Sequence, residues 1–178
     1  MNEEHKLSEA RYFYDRMLSE TDNREAFRND LSAFISAARS VLQYARAEAK
    51  TKLNGLSWYD AQVSTSSVLS FFKDQRDINI HVQPFQVSQH TSMEITDTIH
   101  MTESIHIKMF NEKGELIGES SSEPAPAAQR PAIPAVVTNK FTFSDWTGSE
   151  DVPQLCKAYL NELRRIVTDG QNKGFLTK

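Results

Sequence analysis

The chain has 178 residues, 39% of them hydrophobic and 25% charged, which is typical of one globular domain with a sizeable core. The net charge of −4 argues against broad, non-specific nucleic-acid binding, although it allows a local basic cleft. The single cysteine, Cys156, cannot form an internal disulfide and indicates a reducing compartment. With a polar, acidic start and no apolar run as long as a membrane span, the chain predicts a cytoplasmic protein without a membrane partner.

Four stretches carry apolar residues at helical spacing, and they cover about residues 7–20, 24–53, 57–81 and 151–169. Asn54-Gly55 is expected to end the second helix and Gly170 the fourth. Ser57 is a candidate cap for the third helix. The apolar stripe of that helix weakens between Ser64 and Ser67, where a kink or break is expected.

After Pro84 the period of apolar residues changes to two, which predicts β-strands within about residues 91–143. The strands are expected from Met93, over 105–109 and 115–120, and over 136–143. A turn near 102–104 would pair Ile99 with Ile107 and His100 with His106. Asn111 to Gly114 predicts a second turn, and the proline-rich residues 123–135 predict an exposed loop.

The predicted fold is α+β and mainly α. We expect a four-helix bundle with a small antiparallel β-sheet inserted between the third and fourth helices. The whole of residues 1–178 is predicted to form a single domain, because the insertion is too small and too interrupted by prolines to hold a core of its own.

One stretch, from Phe71 to His81, carries candidate chemistry. Arg76 and His81 are five positions apart, and on a continuous helix they are expected on overlapping faces, somewhat more than one turn apart. An arginine fork fits a phosphate, and a histidine changes protonation near neutral pH, so the pair could cleave RNA through the ribose 2′-hydroxyl. The alternative is an ordinary helix end, where cations are favoured by the helix dipole.

Other candidate sites are weaker. Four histidines could suggest a metal site, but they lack the spacing of zinc ligands and have no cysteine partner, so no metal and no cofactor are expected; they are His81, His90, His100 and His106. Three aromatic residues could stack nucleic-acid bases, although core packing explains them better; they are Trp58, Trp146 and Tyr159. Four arginines lie off the apolar stripe of the second helix: Arg24, Arg28, Arg39 and Arg46. They are expected either on a solvated face or within reach of the groove that contains Arg76.

The motif and its context resemble the HEPN superfamily, the "higher eukaryotes and prokaryotes nucleotide-binding" helical domains. Its signature is an arginine, four to six residues and a histidine near the end of a bundle helix, and Arg76, Asp77 and His81 match it. The stretch from Phe27 to Phe34 and the residues Trp58 to Ala61 also look like a branch of small bacterial members. The resemblance covers about residues 7–84 and 151–170.

The resemblance implies a metal-independent endoribonuclease of toxin or defence type, which acts as a homodimer with two Arg/His pairs at one cleft. His81 would be the base and Arg76 would stabilise the phosphate charge, while Asp77 and Asn79 would support the histidine or bind RNA. Some members bind without catalysis, so a nucleotide-binding, RNA-binding or protein-interaction module is the alternative, with a protein partner at the β insertion. A tyrosine that some toxins carry two residues after the histidine is replaced by Gln83, so regulation through it does not carry over.

Overall fold

The computed structural model describes residues 2–81, 87–95, 104–122 and 134–177, and for residues 78–81 it describes the backbone only. The described part contains five helices and four strands. In chain order they are α1 (Asn2–Ser19), α2 (Arg24–Ala49), α3 (Gly55–Ser64), α4 (Ser67–His81), β1 (Val87–Glu94), β2 (Ile105–Phe110), β3 (Leu116–Ser122), β4 (Val136–Phe143) and α5 (Val152–Asn172). The prediction of an α+β, mainly helical protein is confirmed.

Helix α2 lies at the centre of the helical part, where it contacts all four other helices. Asn23 caps it, because its side-chain oxygen accepts a hydrogen bond from the Ala26 N–H at 3.1 Å. Its buried side chains recur every three or four residues along most of its length, and they include Phe27, Leu31, Phe34, Ile35, Ala38, Val41, Leu42 and Ala45. This continuous apolar stripe explains why the other helices gather around α2.

The prediction of four helices is wrong by one, because the third predicted helix is two helices in the structure. The break expected between Ser64 and Ser67 is confirmed. Thr65 donates its hydroxyl to the carbonyls of Ala61 at 3.4 Å and Gln62 at 3.3 Å, and the Ser66 hydroxyl accepts from the Leu69 N–H at 3.4 Å. Such side-chain bonds compete with the helical hydrogen bonds of the backbone, which ends one helix and starts the next.

Three predicted helix boundaries also differ from the structure. Helix α2 stops at Ala49, and Asn54, in the left-handed conformation at φ 59°, precedes α3, so Ser57 is not its cap. Gly55 starts α3 against the last carbonyl of α2, where a side chain would collide with the Ala49 oxygen. Gly170 does not stop α5, which continues to Asn172.

The strands form two separate two-stranded sheets in the described residues, whereas the sequence predicted one small sheet. Strand β1 pairs with β4, and β2 pairs antiparallel with β3, with Ile107 opposite Ser120. The turn from Asn111 to Gly114 is confirmed, since Asn111 accepts backbone hydrogen bonds from Lys113 and Glu115. The predicted pairing of Ile99 with Ile107 involves residues outside those that the structure describes.

The chain divides into two compact units. The first comprises Met1–Thr91 and Asn139–Lys178, and it holds the helices and the buried Phe141 and Phe143, which share one face of β4. The second comprises Ser92–Thr138 and holds the β2–β3 hairpin. Within the described ranges, no helix is long and apolar enough to cross a membrane. The assignment of all residues to one domain stays a prediction.

Gly170 is closely packed, because a Cβ at this position would lie 2.6 Å from the Trp58 ring and 2.7 Å from Leu176. The same ring is held by a 2.7 Å hydrogen bond from its Nε1 to Asp169, so it cannot easily move away. At an open helical position, glycine to alanine would stabilise. We expect Gly170→Ala instead to lower the free energy of unfolding by about 1–3 kcal/mol through overpacking.

Chemical denaturation of the wild type, Gly170→Ala and Thr168→Ala measures this effect. Thr168 is an exposed position of α5, so alanine there should leave stability unchanged or slightly raised. Equal or greater stability of Gly170→Ala than of the control would show that the Trp58 contact does not require glycine.

Candidate functional site

Helix α4 carries the residues of the predicted motif, and its first turns are fixed in the core. Phe72 is fully buried and stacks on the ring of Tyr159, with 4.5 Å between ring centroids and 5° between ring planes. One turn later Gln75 is also buried, and its side-chain amide donates a hydrogen bond to Asp145, which follows β4. Arg76 therefore follows directly after a residue whose position is set by the core.

Arg76 and Asp77 form an ion pair, with 3.1 Å between the guanidinium Nη1 and the carboxylate Oδ1. The side chain of Arg76 is 26% exposed and that of Asp77 is 49% exposed. Asp77 is therefore a partner of Arg76, an arrangement that the sequence did not predict. A guanidinium has five N–H donors, so one such contact leaves donors for a phosphate while it limits the directions in which the group can point.

His81 is the last residue of α4, and its side chain, like that of Asn79, lies outside the described residues. The backbone of α4 is helical from Arg76 to His81. Five residues of regular helix span about 7.5 Å along the axis and turn by about 140°, so the expected overlap of the Arg76 and His81 faces does not follow from the helix. The structure thus brings Arg76 and Asp77 together and leaves the positions of the Asn79 and His81 side chains open.

The three aromatic residues considered as base-stacking candidates all make packing contacts. Trp58 is buried and stacks on Phe175, with 5.1 Å between ring centroids. Tyr159 is completely buried among core rings. Trp146 packs edge to face on Phe71 at 4.9 Å. The core-packing interpretation is confirmed for Trp58 and Tyr159, which are buried, while Trp146 is half-buried and packs at the edge of the core.

Two of the arginines of α2 lie near a tyrosine that the sequence analysis missed. Burial raises the pKa of Tyr59 above its usual range, and the positive charges of Arg39 and Arg46 act in the opposite direction. Arg39 is half-buried, whereas Arg46 is exposed. Their spacing of seven residues puts them on one side of α2, and this spacing could be read from the sequence. Arg24 instead donates to the Val87 carbonyl at 3.5 Å.

Cys156, His90 and His106 do not form a reactive site in the described residues, and His100 lies outside them. Cys156 is fully buried, and burial raises its pKa well above the usual thiol range, so its thiolate is disfavoured. His90 and His106 are exposed on β1 and β2. In the part of the chain that the structure describes, no group of three histidine, cysteine, aspartate or glutamate side chains is placed to hold a metal ion.

Comparison of the chain with protein-family models, with curated proteins and with solved structures finds no significant match.

Proposed function

We propose that the protein is a metal-independent endoribonuclease in which Arg76 and His81 act on the ribose 2′-hydroxyl and the adjacent phosphate. The observation that favours this proposal is the state of Arg76. Its guanidinium is a quarter exposed, is oriented by the Asp77 carboxylate and follows a residue anchored in the core. A positioned cation that is still open to solvent is the kind of group that stabilises charge on a reacting phosphate.

The reaction needs two groups from the protein, a general base and a cation that stabilises the phosphate. His81 removes the proton of the 2′-hydroxyl, and the resulting oxygen attacks the phosphorus while the bond from phosphorus to the 5′-oxygen breaks and that oxygen takes a proton from water. Arg76 stabilises the extra negative charge on the phosphate oxygens through its fork of donors. The products are a 2′,3′-cyclic phosphate and a 5′-hydroxyl, and DNA resists because it has no 2′-hydroxyl. Asp77 orients Arg76, and Asn79 contributes to RNA binding in this proposal.

The proposal includes a homodimer, in which two copies of the Arg/His pair share one cleft. In a regular helix the two positions point about 140° apart, so a second copy offers a way to place both groups at one phosphate. Light scattering at micromolar concentration should give twice the monomer mass of 20.3 kDa. A stable monomer over the whole concentration range would remove the shared cleft from the proposal.

Cleavage of mixed RNA in the presence of EDTA tests the chemistry. We expect the wild type to produce cyclic phosphate ends, and His81→Ala to lower the rate by about a hundredfold to ten-thousandfold, because the general base is lost. Arg76→Lys should lower it by about a hundredfold or more, because an ammonium does not reproduce the bidentate fork.

The matched controls are His106→Ala, an exposed histidine of β2, and Arg11→Lys, an exposed arginine of α1 that pairs with Asp15 at 2.9 Å. Both should keep wild-type activity, and all five proteins should have similar melting temperatures. Activity that survives in both motif variants, or that EDTA abolishes, would contradict the proposed mechanism.

A second candidate is a non-catalytic module that binds a protein partner through the β insertion. It is favoured by the apolar residues of β2, because Ile105, Ile107 and Met109 share one face of the strand and are 59%, 53% and 52% exposed. On β3 the residues opposite the first two are serines, and Gly118 lies opposite Met109. This candidate would be favoured if the folded wild type cleaves no RNA and the two motif variants, His81→Ala and Arg76→Lys, behave like the wild type.

A further inference from the structure

Beyond the end of α5 the chain turns back through Gly174, which adopts the left-handed conformation at φ 75°. The three residues that follow lie against the helices, and we name them the strap: Phe175, Leu176 and Thr177. The N–H groups of Phe175 and Leu176 donate to the Gly170 carbonyl at 2.8 Å and 3.1 Å. Glycine adopts a positive φ at little cost, so Gly174 sets the direction of the strap.

The strap lies in a groove with two apolar positions. Phe175 stacks on Trp58 of α3, with 5.1 Å between ring centroids and 25° between ring planes. Leu176 is only 4% exposed, and it fills the space that the missing side chain of Gly170 leaves on α5, where a Cβ would lie 2.7 Å from the leucine. The groove therefore accepts an aromatic side chain and, next to it, an aliphatic one.

The same groove also binds the backbone of the strap through polar side chains. Glu48 of α2 accepts a hydrogen bond from the Thr177 N–H at 2.7 Å and another from the Thr177 hydroxyl. The side-chain amide of Gln171 donates to the Thr177 carbonyl at 3.4 Å. Backbone groups are the same in every peptide, so these contacts are available to a segment of another protein as well as to the strap.

The groove is held in place by contacts that do not involve the strap. The indole Nε1 of Trp58 donates to Asp169 at 2.7 Å, and Lys173 pairs with the same carboxylate at 2.9 Å. Glu48 and Gly170 lie within the regular helices α2 and α5. A groove that is already formed costs little ordering when a segment binds to it.

We infer that this groove is a binding site for a peptide segment of a partner protein, and that the strap is a built-in competitor for it. The strap displays the chemistry of that segment, which is an aromatic residue, an aliphatic residue and a serine or threonine whose N–H and hydroxyl reach a carboxylate. Because the strap belongs to the same chain, its high effective concentration keeps the groove closed until the strap is displaced. This inference does not depend on RNA cleavage by Arg76 and His81.

Replacement of Gly174 by valine opens the groove without changing any group in it. A Cβ at Gly174 meets nothing within 4 Å, but a β-branched residue strongly disfavours a positive φ, so Gly174→Val redirects the strap. The matched control is Gly114→Val. Gly114 has a similar φ of 80° and equally open space, but it lies in the turn between β2 and β3.

The probe is a fluorescent peptide with the sequence of residues 173–177, and its anisotropy measures binding to the full chain. We expect Gly174→Val to bind this peptide at least about tenfold more tightly than the wild type and Gly114→Val do. Glu48→Ala, added to Gly174→Val, should weaken binding about tenfold, because hydrogen bonds to a carboxylate are lost. A peptide of the reversed sequence should bind to none of these proteins.

Melting temperatures establish that each variant is folded. If Gly174→Val does not fold, Leu176→Ala decides, because it removes only the buried anchor of the strap and should also bind the peptide at least about tenfold more tightly than the wild type. The inference is overturned if the folded variant binds the peptide no better than the wild type, or binds the reversed peptide equally well. The strap would then serve only to end α5.

Discussion

The stacking of Phe72 on Tyr159 is the contact on which the placement of the candidate site depends. It joins α4 to α5, and Phe34 of α2 meets both rings edge to face, so three helices meet at one aromatic group. Aromatic pairs have preferred geometries in addition to their large buried area, and they therefore fix the direction of a helix as well as its contact with the core. Gln75 and Arg76 lie one turn after Phe72, so their positions depend on the helix direction that this contact fixes.

The same stacking explains the isolation of the Tyr159 hydroxyl. A ring held between Phe72 and Phe34 keeps its oxygen where the packing puts it, and within the described residues the hydroxyl has no hydrogen-bond partner there. The aromatic core thus has two outcomes. It supports the end of α4, and it leaves a buried hydroxyl without a hydrogen-bond partner, which is an unfavourable arrangement in a native protein.

Much of the fold is predictable from the sequence, because local patterns decide it. The apolar stripes locate the helical segments, and the weakening of the stripe between Ser64 and Ser67 indicates the break between α3 and α4. The helix ends that were predicted wrongly depend on contacts between residues far apart in the sequence. Gly170 resembles a helix stop, yet it lies inside α5 because Trp58 needs the space of its missing side chain. No local pattern contains that information.

The candidate site was predictable only in part. The motif located Arg76 at the end of a helix, but the pairing of Arg76 with Asp77 and the grouping of Arg39 with Tyr59 depend on rotamers and on packing between helices. The spacing of Arg39 and Arg46 on one side of α2 was visible, whereas their proximity to Tyr59 needed the position of α3.

The central claim is that Arg76 and His81 act together on RNA, and the imidazole signals of the histidines in an NMR titration test it most directly. Uncleavable 2′-O-methyl RNA is added to labelled protein, and the His81 signal is assigned from its loss in His81→Asn. The account predicts that RNA shifts the His81 signal in a saturable way in the wild type and much less in Arg76→Lys. RNA that leaves the His81 signal unchanged would contradict the account.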